Sequence, residues 1–439
     1  MADKPATGGK RFFKLASMTA SVATRYATSK LKSAFLEGDE ADSERSRLHE
    51  VNGAKIVETL GELKGAVMKV GQMASITKDV LPKEIGDALS ALQKEAPPMS
   101  FDVISEQIER ELGAHPFHLF SRFEKEPFAS ASIGQVHRAT TDDGREVVVK
   151  IQYPGVDGAV DSDLRHLKYT ILASGLIKVS KKDFDAVITE VRARLHEELD
   201  YTNEAENVRF FRKLYGNDPN VILPDVVGER SSQRVLTLTY EPGDSLMELE
   251  ELGYTQVERN RLGYALFRAM ARQLFEFEAI HADPNPANFG MRKDGRVVIY
   301  DFGCVKRVKP EITAAYRDVI QAALTDDWEA VEDALRRLGV RNLEGGQPPF
   351  DYYAKWRDIF AAPFMSEGPF DFANSQVHKR VMKHVPEFLA THLKAFKPSS
   401  EMVFVDRVVA GHYGNLCKIG CNAEFGPVLK DFSGFVEPT

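Results

Sequence analysis

Residues Ile280–Gly303 read IHADPNPANFGMRKDGRVVIYDFG, and they carry the motif from which the fold is predicted. Asp283 lies two residues after a histidine, Asn288 follows five residues later, and Asp301 opens an Asp-Phe-Gly triplet behind a turn and an apolar run. This is the layout of a phosphoryl-transfer site, in which one carboxylate orients the attacking oxygen while an asparagine and a second carboxylate hold magnesium on the nucleotide phosphates. We therefore predict Asp283 as the base or orienting group, and Asn288 and Asp301 as metal ligands.

A purely structural alternative exists for each part of this motif. Asp283 and Asn288 lie beside two prolines in a sequence typical of a turn, and Asp301 has the position of a strand-ending cap. The order and spacing of three ligand-type side chains, carried by two adjacent turns, favour the catalytic interpretation.

Length and composition predict a globular protein with two lobes and extensions. The 439 residues are 43% hydrophobic, which is enough to bury a sizeable core. The net charge of −8 argues against nucleic acid as a partner. Cys304, Cys417 and Cys421 are too few for a disulfide framework, which indicates a reducing compartment. We see neither a secretory signal nor an apolar run long enough to cross a bilayer, so we expect a cytoplasmic protein.

The N-terminal region, residues 1–47, is predicted to be a basic amphipathic arm followed by an acidic linker. Residues 1–36 contain seven basic residues and one acidic residue, a local charge of +6 on an acidic chain. Such an arm is typical of binding to an anionic membrane surface. A disordered or partner-packed arm is the open alternative.

Residues 48–118 are predicted to form a helical extension. Within it, Lys69, Gly71 and Gln72 depart from the amphipathic pattern. A glycine inside a helix costs about 1 kcal/mol relative to alanine, so Gly71 indicates the close approach of another backbone or of a ligand. The last helix of the extension is SFDVISEQIERELG.

Residues 119–241 are predicted to form a small lobe built on an antiparallel sheet, with a loop from Phe128 to Gly134 and a tight turn at Asp142–Gly144. The segment Ala129–Val136 reads A-x-A-x-x-G-x-V, the pattern of a glycine-rich phosphate loop with two alanines in place of glycines. The residues predicted to hold the nucleotide are Ala129, Ser130, Ala131, Ser132, Ile133, Gly134 and Val136. Lys150 lies where such a sheet offers a lysine to the α and β phosphates; an exposed strand lysine is the alternative.

The acidic partner of Lys150 is expected on a long helix predicted over residues 183–214. Its acidic segment HEELDYTNEAEN offers several candidates, and only Asp200 and Glu204 share a face by i,i+4 spacing. Spacing alone does not choose among them. Residues 242–439 are predicted to form a helical lobe that contains the catalytic turns.

The segment after Gly303 limits the acceptor of the phosphoryl group. Helix-like sequence starts within seven residues of Gly303, which leaves no room for the activation segment on which a protein kinase docks a peptide. Ala282 also stands where kinases regulated through that segment have arginine. Both features favour a small molecule, a lipid or water as the acceptor.

Several segments together resemble the signatures of the UbiB/ADCK (AarF-like) family of atypical protein-kinase-like ATPases. They are LKGAVMKVGQMAS, PFASASIGQVHRA, VVVKIQYPGV, EELDYTNEAEN, HADPNPANF and DFG, followed by PFDFANSQVHKRV and VDRVVAGHYGNL. The resemblance covers residues 48–425. It implies an α+β, two-lobed protein-kinase-like fold in which a helical extension bearing a K-x-G-Q motif folds over the active site.

The resemblance also implies roles for particular residues. Glu204 becomes the helix-C glutamate that pairs with Lys150, and Ser130 interrupts an otherwise alanine-rich nucleotide loop. The K-x-G-Q residues are Lys69, Gly71 and Gln72, and the E-x-D residues that meet them are Glu198 and Asp200.

By this resemblance the chain is an ATPase or kinase that supports ubiquinone and related isoprenoid-quinone biosynthesis. We expect ATP/ADP and Mg²⁺ as cofactors, an isoprenoid lipid or quinone precursor and quinone-biosynthesis enzymes as partners, and peripheral attachment to the inner membrane. A nucleotide-gated lipid-binding or scaffolding module without phosphoryl transfer is the main alternative. An antibiotic or choline phosphotransferase shares the short segment after Gly303, but it does not explain the K-x-G-Q motif.

Overall fold

The computed structural model describes residues 98–131, 133–173, 181–397 and 399–433. The predicted arm, the extension up to residue 97 with Lys69, Gly71 and Gln72, and Ser132 lie outside the described residues. The chain divides into two compact units, and the division falls within one helix. The first unit extends to Glu206 and adds Asp225–Tyr240, whereas the second contains Asn207–Pro224 and everything from Glu241 onward.

Helices and short strands both contribute to the described ranges, in agreement with the predicted α+β class. The helices are α1 (Phe101–Leu112), α2 (Pro116–Leu119), α3 (Val156–Ala173), α4 (Lys181–Glu198), α5 (Tyr201–Tyr215), α6 (Gln256–Phe275), α7 (Pro310–Leu324), α8 (Trp328–Arg337), α9 (Phe350–Phe360), α10 (Ala362–Met365), α11 (Val377–Glu387), α12 (Ser400–Ile419) and α13 (Gly426–Ser433). The strands are β1 (Arg122–Phe123), β2 (Ala129–Ala131), β3 (Gly134–Thr140), β4 (Glu146–Gln152), β5 (Val221–Ile222), β6 (Val235–Thr239), β7 (Asp244–Ser245), β8 (Ala279–His281), β9 (Phe289–Met291), β10 (Val297–Ile299), β11 (Val305–Arg307), β12 (Phe370–Asp371) and β13 (Asn422–Ala423).

The first unit is organised around an antiparallel sheet in which β1, β3, β4 and β6 are neighbours in that order and β2 pairs with β3. The predicted turn between β3 and β4 is present, and Gly144 supplies the left-handed backbone conformation with φ of 84°. Alternate residues of a strand face the same side of a sheet, so one face of β4 lies in the core. Its fully buried residues are Val147, Val149 and Ile151.

The single helix predicted over residues 183–214 is wrong, because α4 and α5 are separate helices. Asp200 lies between them, and its carboxylate accepts hydrogen bonds from the backbone N–H groups of Thr202 and Asn203, both at 3.1 Å. These bonds satisfy backbone donors that the first turn of a helix leaves without partners. The break places Glu204 in the first turn of α5.

The second unit is mainly helical, as predicted, and α6 is its central buried helix. The helix begins at a capping box formed by Thr255 and Glu258. Gly263 of α6 permits close packing, since a Cβ there would lie 2.4 Å from the sulfur of Cys421. All three cysteines are free, and Cys304 and Cys421 are buried. No helix among the described residues has both the length and the apolar character that a bilayer span requires.

Short strands in the second unit lie next to the turns that contain Asp283, Asn288 and Asp301. The strands β5, β10, β9 and β7 form one sheet in that order, and β8 pairs with β11 in another. The predicted Lys-Asp-Gly turn connects β9 to β10, with Gly295 at φ of 90°. As a result, the end of β8, the end of β10 and the loop before β9 lie next to one another.

Candidate active site

Lys150 and Glu204 form a close ion pair within the first unit. The Lys150 ammonium donates to both carboxylate oxygens of Glu204, at 3.0 and 2.8 Å. The Glu204 side chain is 2% exposed and that of Lys150 is 15% exposed. The ring of Tyr201 lies one turn earlier on α5, with its centroid 5.0 Å from the ammonium. Separating a buried ion pair would leave each charge without compensation. The fold therefore fixes the position of the lysine ammonium.

The segment predicted to be the nucleotide loop is a paired hairpin. The sequence predicted a loop from Phe128 to Gly134, but Ala129–Ala131 form β2 and pair with Gly134–Val136 of β3. A Cβ at Gly134 would lie 2.1 Å from the carbonyl oxygen of Ile151, so this position requires glycine. Ile133, at the tip, is buried. The loop prediction failed for Ala129–Ala131 because alanine and serine are not strand formers, and their pairing comes from the register of β3.

The predicted E-x-D residues flank the break between α4 and α5. Glu198 ends α4, Asp200 caps α5, and both side chains are half-buried. Their contact with Lys69, Gly71 and Gln72 stays a prediction, because that motif lies outside the described residues.

The loop that carries Asp283 and Asn288 belongs to the second unit and is held by local hydrogen bonds. Asn285 opens a 3₁₀ turn at Pro286–Asn288, where its side chain accepts from the N–H of Ala287 at 3.1 Å. The Asn288 amide donates to the backbone carbonyl of Asp283 at 3.2 Å. The Asn288 carbonyl in turn accepts from the N–H of Tyr300 at 3.0 Å, which ties this loop to the Asp-Phe-Gly segment.

The Asp-Phe-Gly segment is fixed from both sides. The imidazole Nε2 of His281 donates to the carbonyl oxygen of Asp301, since a carbonyl can only accept. The carboxylate of Asp301 accepts from the N–H of Gly303 at 2.9 Å. Phe302 is fully buried, and its carbonyl accepts from the Asn207 side chain at 3.0 Å. The backbone that aims Asp301 therefore has little freedom.

Helix α12 supports the loop that carries Asp283 and Asn288, and sequence reasoning missed this contact. A Cβ on Gly411 would lie 2.2 Å from the ring of Pro284, and Asn415 donates to the Pro284 carbonyl at 2.9 Å. The ring of His412 packs against Phe289, with centroids 5.2 Å apart. Burial, together with nearby His281, lowers the pKa of His412 to about 3, so its imidazole is neutral. The available signal was a glycine in mid-helix, which is costly unless close packing requires it.

The residues present suit magnesium. Mg²⁺ prefers oxygen ligands and is usually held by one or two carboxylates together with substrate phosphates. Asp301 and Asn288 supply a carboxylate and an amide oxygen, on segments joined by the Tyr300–Asn288 hydrogen bond. No group of three or more His, Cys, Asp and Glu side chains within the described ranges could hold a metal by itself.

The family of the chain follows from its match to a family model. Residues 91–335, more than half of the chain, match the model of the ABC1 atypical kinase-like domain. The chain therefore belongs to the ABC1 atypical kinase-like family. This confirms the predicted kinase-like fold and the resemblance to the UbiB/ADCK family.

Curated relatives agree with this assignment. The chain is 28% identical to "Atypical kinase COQ8, mitochondrial" of Saccharomyces cerevisiae, over 98% of this chain and 86% of that protein. It is 31% identical to "Atypical kinase COQ8B, mitochondrial" of Rattus norvegicus, over 83% of this chain and 69% of that protein. Other relatives are longer: the match covers 51% of "Atypical kinase coq-8, mitochondrial" of Caenorhabditis elegans. It covers 36% of "Protein ACTIVITY OF BC1 COMPLEX KINASE 8, chloroplastic" of Arabidopsis thaliana.

A solved structure has a similar fold. It is titled as the complex of Rv3197 with erythromycin from Mycobacterium tuberculosis, and it is 29% identical to this chain. The superposition has a TM-score of 0.64 and covers 90% of this chain and all of that one.

Proposed function

We propose that this chain is a magnesium-dependent, ATP-binding atypical kinase or ATPase that supports ubiquinone and related isoprenoid-quinone biosynthesis at a membrane surface. The observation that carries the proposal is the Lys150–Glu204 ion pair, with both carboxylate oxygens within 3.0 Å of the ammonium. A lysine held in this way is the group with which protein kinases bind the α and β phosphates of ATP.

The remaining groups fit the transfer step. Asp283 would orient the attacking oxygen and accept its proton as the new oxygen–phosphorus bond forms and the bond to the β-phosphate bridge breaks. Asn288 and Asp301 would hold Mg²⁺, which neutralises charge on the β and γ phosphates when it is bound. Lys150 would hold the phosphates left behind. The hairpin Ala129–Val136 would cover the nucleotide through its backbone N–H groups.

The acceptor in this proposal is a small molecule, a lipid or water. Residues 304–309 contain β11, which pairs with β8, and α7 starts at Pro310. The residues between the Asp-Phe-Gly triplet and α7 are thus committed to a strand, so they do not offer a docking platform for a peptide. We propose a cytoplasmic location at the inner membrane surface, with an isoprenoid lipid or quinone precursor and quinone-biosynthesis enzymes as partners.

A nucleotide-gated lipid-binding module is the second candidate. The observation in its favour is the pairing of Ala129–Ala131 with β3, because alanines in a paired strand have less backbone freedom than the glycines of a phosphate loop. In that case ATP would bind and alter lipid affinity without turnover.

Nucleotide-dependent thermal stabilisation tests the proposed ligand set. Wild-type protein should gain thermal stability with ATP and Mg²⁺ together, and Asp301→Asn should lose the magnesium-dependent part. Asp294→Asn is the matched control, since Asp294 lies on an exposed turn and pairs with Arg296 at 2.6 Å. If Asp301→Asn kept the full magnesium-dependent shift, the assignment of Asp301 would be wrong.

A further inference from the structure

Exposed apolar side chains concentrate in one part of the second unit. Among the described residues, seven of the fifteen exposed large hydrophobic side chains fall between residues 343 and 393. Single exposed apolar residues are normal on a protein surface, but a local concentration marks an interaction site. The seven are Leu343, Phe350, Phe360, Met365, Met382, Leu389 and Leu393.

Three of these residues lie on the outer side of one continuous helical run. The run consists of α11, a π-turn at Phe388–His392 and a 3₁₀ turn at Leu393–Ala395. Met382, Leu389 and Leu393 are 53%, 55% and 51% exposed. The inward side of the run is different, and its buried residues are Val377, His392 and Ala395.

Lysines border the exposed apolar residues. Lys379 and Lys383 lie near the start of the run and Lys394 and Lys397 near its end, and all four are exposed. Residues 377–397 contain five basic residues and one acidic residue, a charge of +4 on a chain whose net charge is −8. The remaining two charged groups bind α9: Arg380 donates to the Asp358 carbonyl and Glu387 pairs with Lys355.

A packed aromatic layer holds the run in place. Tyr352 of α9 packs on His392 with ring centroids 4.3 Å apart, and Phe388 packs on Phe396 at 5.9 Å. A Cβ on Gly345 would lie 2.0 Å from the carbonyl oxygen of Lys394, so the turn that carries Leu343 sits directly against the end of the run. The exposed side of the helical run is therefore held in a fixed position by the packing of its buried side.

We propose that the surface formed by Met382, Leu389, Leu393, Lys379, Lys383, Lys394 and Lys397, here called the Met382 face, docks onto an anionic lipid bilayer. Apolar side chains would enter the boundary between headgroups and acyl chains, while the lysine ammonium groups stay at the level of the phosphates. Charge argues against the other occupants. The basic arm, residues 1–36, and a second copy of this face carry the same sign of charge and would be repelled.

This inference rests on the membrane part of the proposed function, but it does not depend on phosphoryl transfer. The proposed function brings a nucleotide site to a membrane surface, and the Met382 face specifies which residues make the contact. Membrane docking and phosphoryl transfer can be tested separately in the same protein, because none of the residues in the Met382 face belongs to the proposed catalytic set.

Vesicle co-sedimentation of the full-length protein tests the Met382 face. Wild type should bind phosphatidylcholine vesicles that contain phosphatidylglycerol, bind pure phosphatidylcholine far less, and lose affinity in high salt. The triple variant Met382→Ser/Leu389→Ser/Leu393→Ser and the quadruple variant with Lys379, Lys383, Lys394 and Lys397 changed to Gln should each weaken binding by about tenfold or more. Met247→Ser/Val257→Ser, at residues 61% and 60% exposed, is the matched control and should bind like wild type.

A reporter at the face gives an independent readout. Leu389→Trp should show a blue shift in emission and quenching by brominated acyl chains when anionic vesicles are added, beyond any signal from the two native tryptophans. Unchanged binding of both multiple variants, or no quenching at position 389, would overturn the proposal and leave the basic arm or a protein partner as the contact. Phosphate release without lipid should be the same in wild type and in these variants, so a failure of docking is separate from a failure of catalysis.

Discussion

Two buried charge clusters in this molecule differ in how far their cationic side chains are exposed to solvent. In the second unit, Glu332 accepts hydrogen bonds from Arg341 at 2.8 Å, Arg336 at 3.0 Å and the hydroxyl of Tyr353. Arg341 is itself 1% exposed in its side chain and also donates to the carbonyls of Ala395 and Gly346. In the first unit, Lys150 of β4 pairs with Glu204 of α5, and the lysine side chain is 15% exposed.

The difference separates a structural cluster from a candidate functional pair. Arginine carries five donors in a rigid fork, which suits a closed internal network, whereas lysine is a compact charge that binds phosphates. The Glu332 cluster joins α8 to α9 and to the turn at Ala395, the region that supports the Met382 face. The Lys150–Glu204 pair is the type of pair that nucleotide sites use.

The largest expected effect is a loss of stability when the Glu332 cluster is disrupted. Glu332→Ala should lower the free energy of unfolding by about 3–5 kcal/mol, because it leaves Arg341 buried without its charge partner. Asp318→Ala is the control: it removes an exposed ion pair with Arg337, 2.7 Å long, and should cost about 1 kcal/mol or less. Urea denaturation of both variants measures the difference. Equal losses in the two variants would show that the Glu332 cluster is not structural.

The next effect is on turnover. Lys150→Met should reduce nucleotide turnover by about 10²-fold or more, since it removes the charge that we propose binds the phosphates. Lys125→Met is the matched control, because Lys125 is exposed and lies over the rings of Phe101 and Phe117. Steady-state kinetics on the folded variants measures the turnover of each. A Lys150→Met protein with wild-type turnover would make the pair structural, like the Glu332 cluster.

Substitutions at Gly411 and Gly414 of α12 test how the loop that carries Asp283 is supported. Gly411→Ala should lower turnover by about tenfold or more, because its Cβ would press on Pro284 and shift the loop that carries Asp283. At Gly414 an added Cβ meets nothing within 4 Å, so Gly414→Ala should keep activity and raise stability by about 0.5–1 kcal/mol. Equal activity in both variants would show that α12 does not position this loop.

The smallest effect is a pH dependence of the structural cluster. Burial opposes ionisation of Glu332, but the hydrogen bonds from Arg341, Tyr353 and Arg336 outweigh it and hold its pKa below the ordinary glutamate value. A lowered folded-state pKa contributes stability that is complete above the ordinary pKa of about 4 and is lost as pH falls through the folded pKa. The stability gap between wild type and Glu332→Gln should therefore be constant near neutral pH and narrow in acid. A gap that widens in acid would contradict this sign.

The features that can be interpreted from the sequence alone are local, and the roles of Asp283, Asn288 and Asp301 stay predictions. Asp283, Asn288 and Asp301 occupy one short stretch with fixed spacing, so their type and order could be interpreted without the fold. The helix α7 and the turns at Gly144 and Gly295 were also predictable, because turn residues and helical periodicity act over a few positions.

The features that sequence missed depend on distant residues. Glu332 has the sequence setting of an exposed helix residue, and only its contacts with Arg341 and Tyr353 reveal its burial. The contact between Gly411 and Pro284 joins segments more than 100 residues apart. The break at Asp200 was missed because an aspartate in an acidic run has the same composition whether it caps a helix or lies on its surface.

Phosphate release from ATP by the pure protein, measured for wild type beside Asp283→Asn and Asp301→Asn, tests the proposed phosphoryl transfer. Each is measured with and without cardiolipin-containing vesicles and a phenolic quinone-precursor analogue. We expect magnesium-dependent release that the lipid or the phenol stimulates and that both variants lose. Saturable ATP binding without release under any of these conditions would contradict it and would favour the nucleotide-gated lipid-binding module.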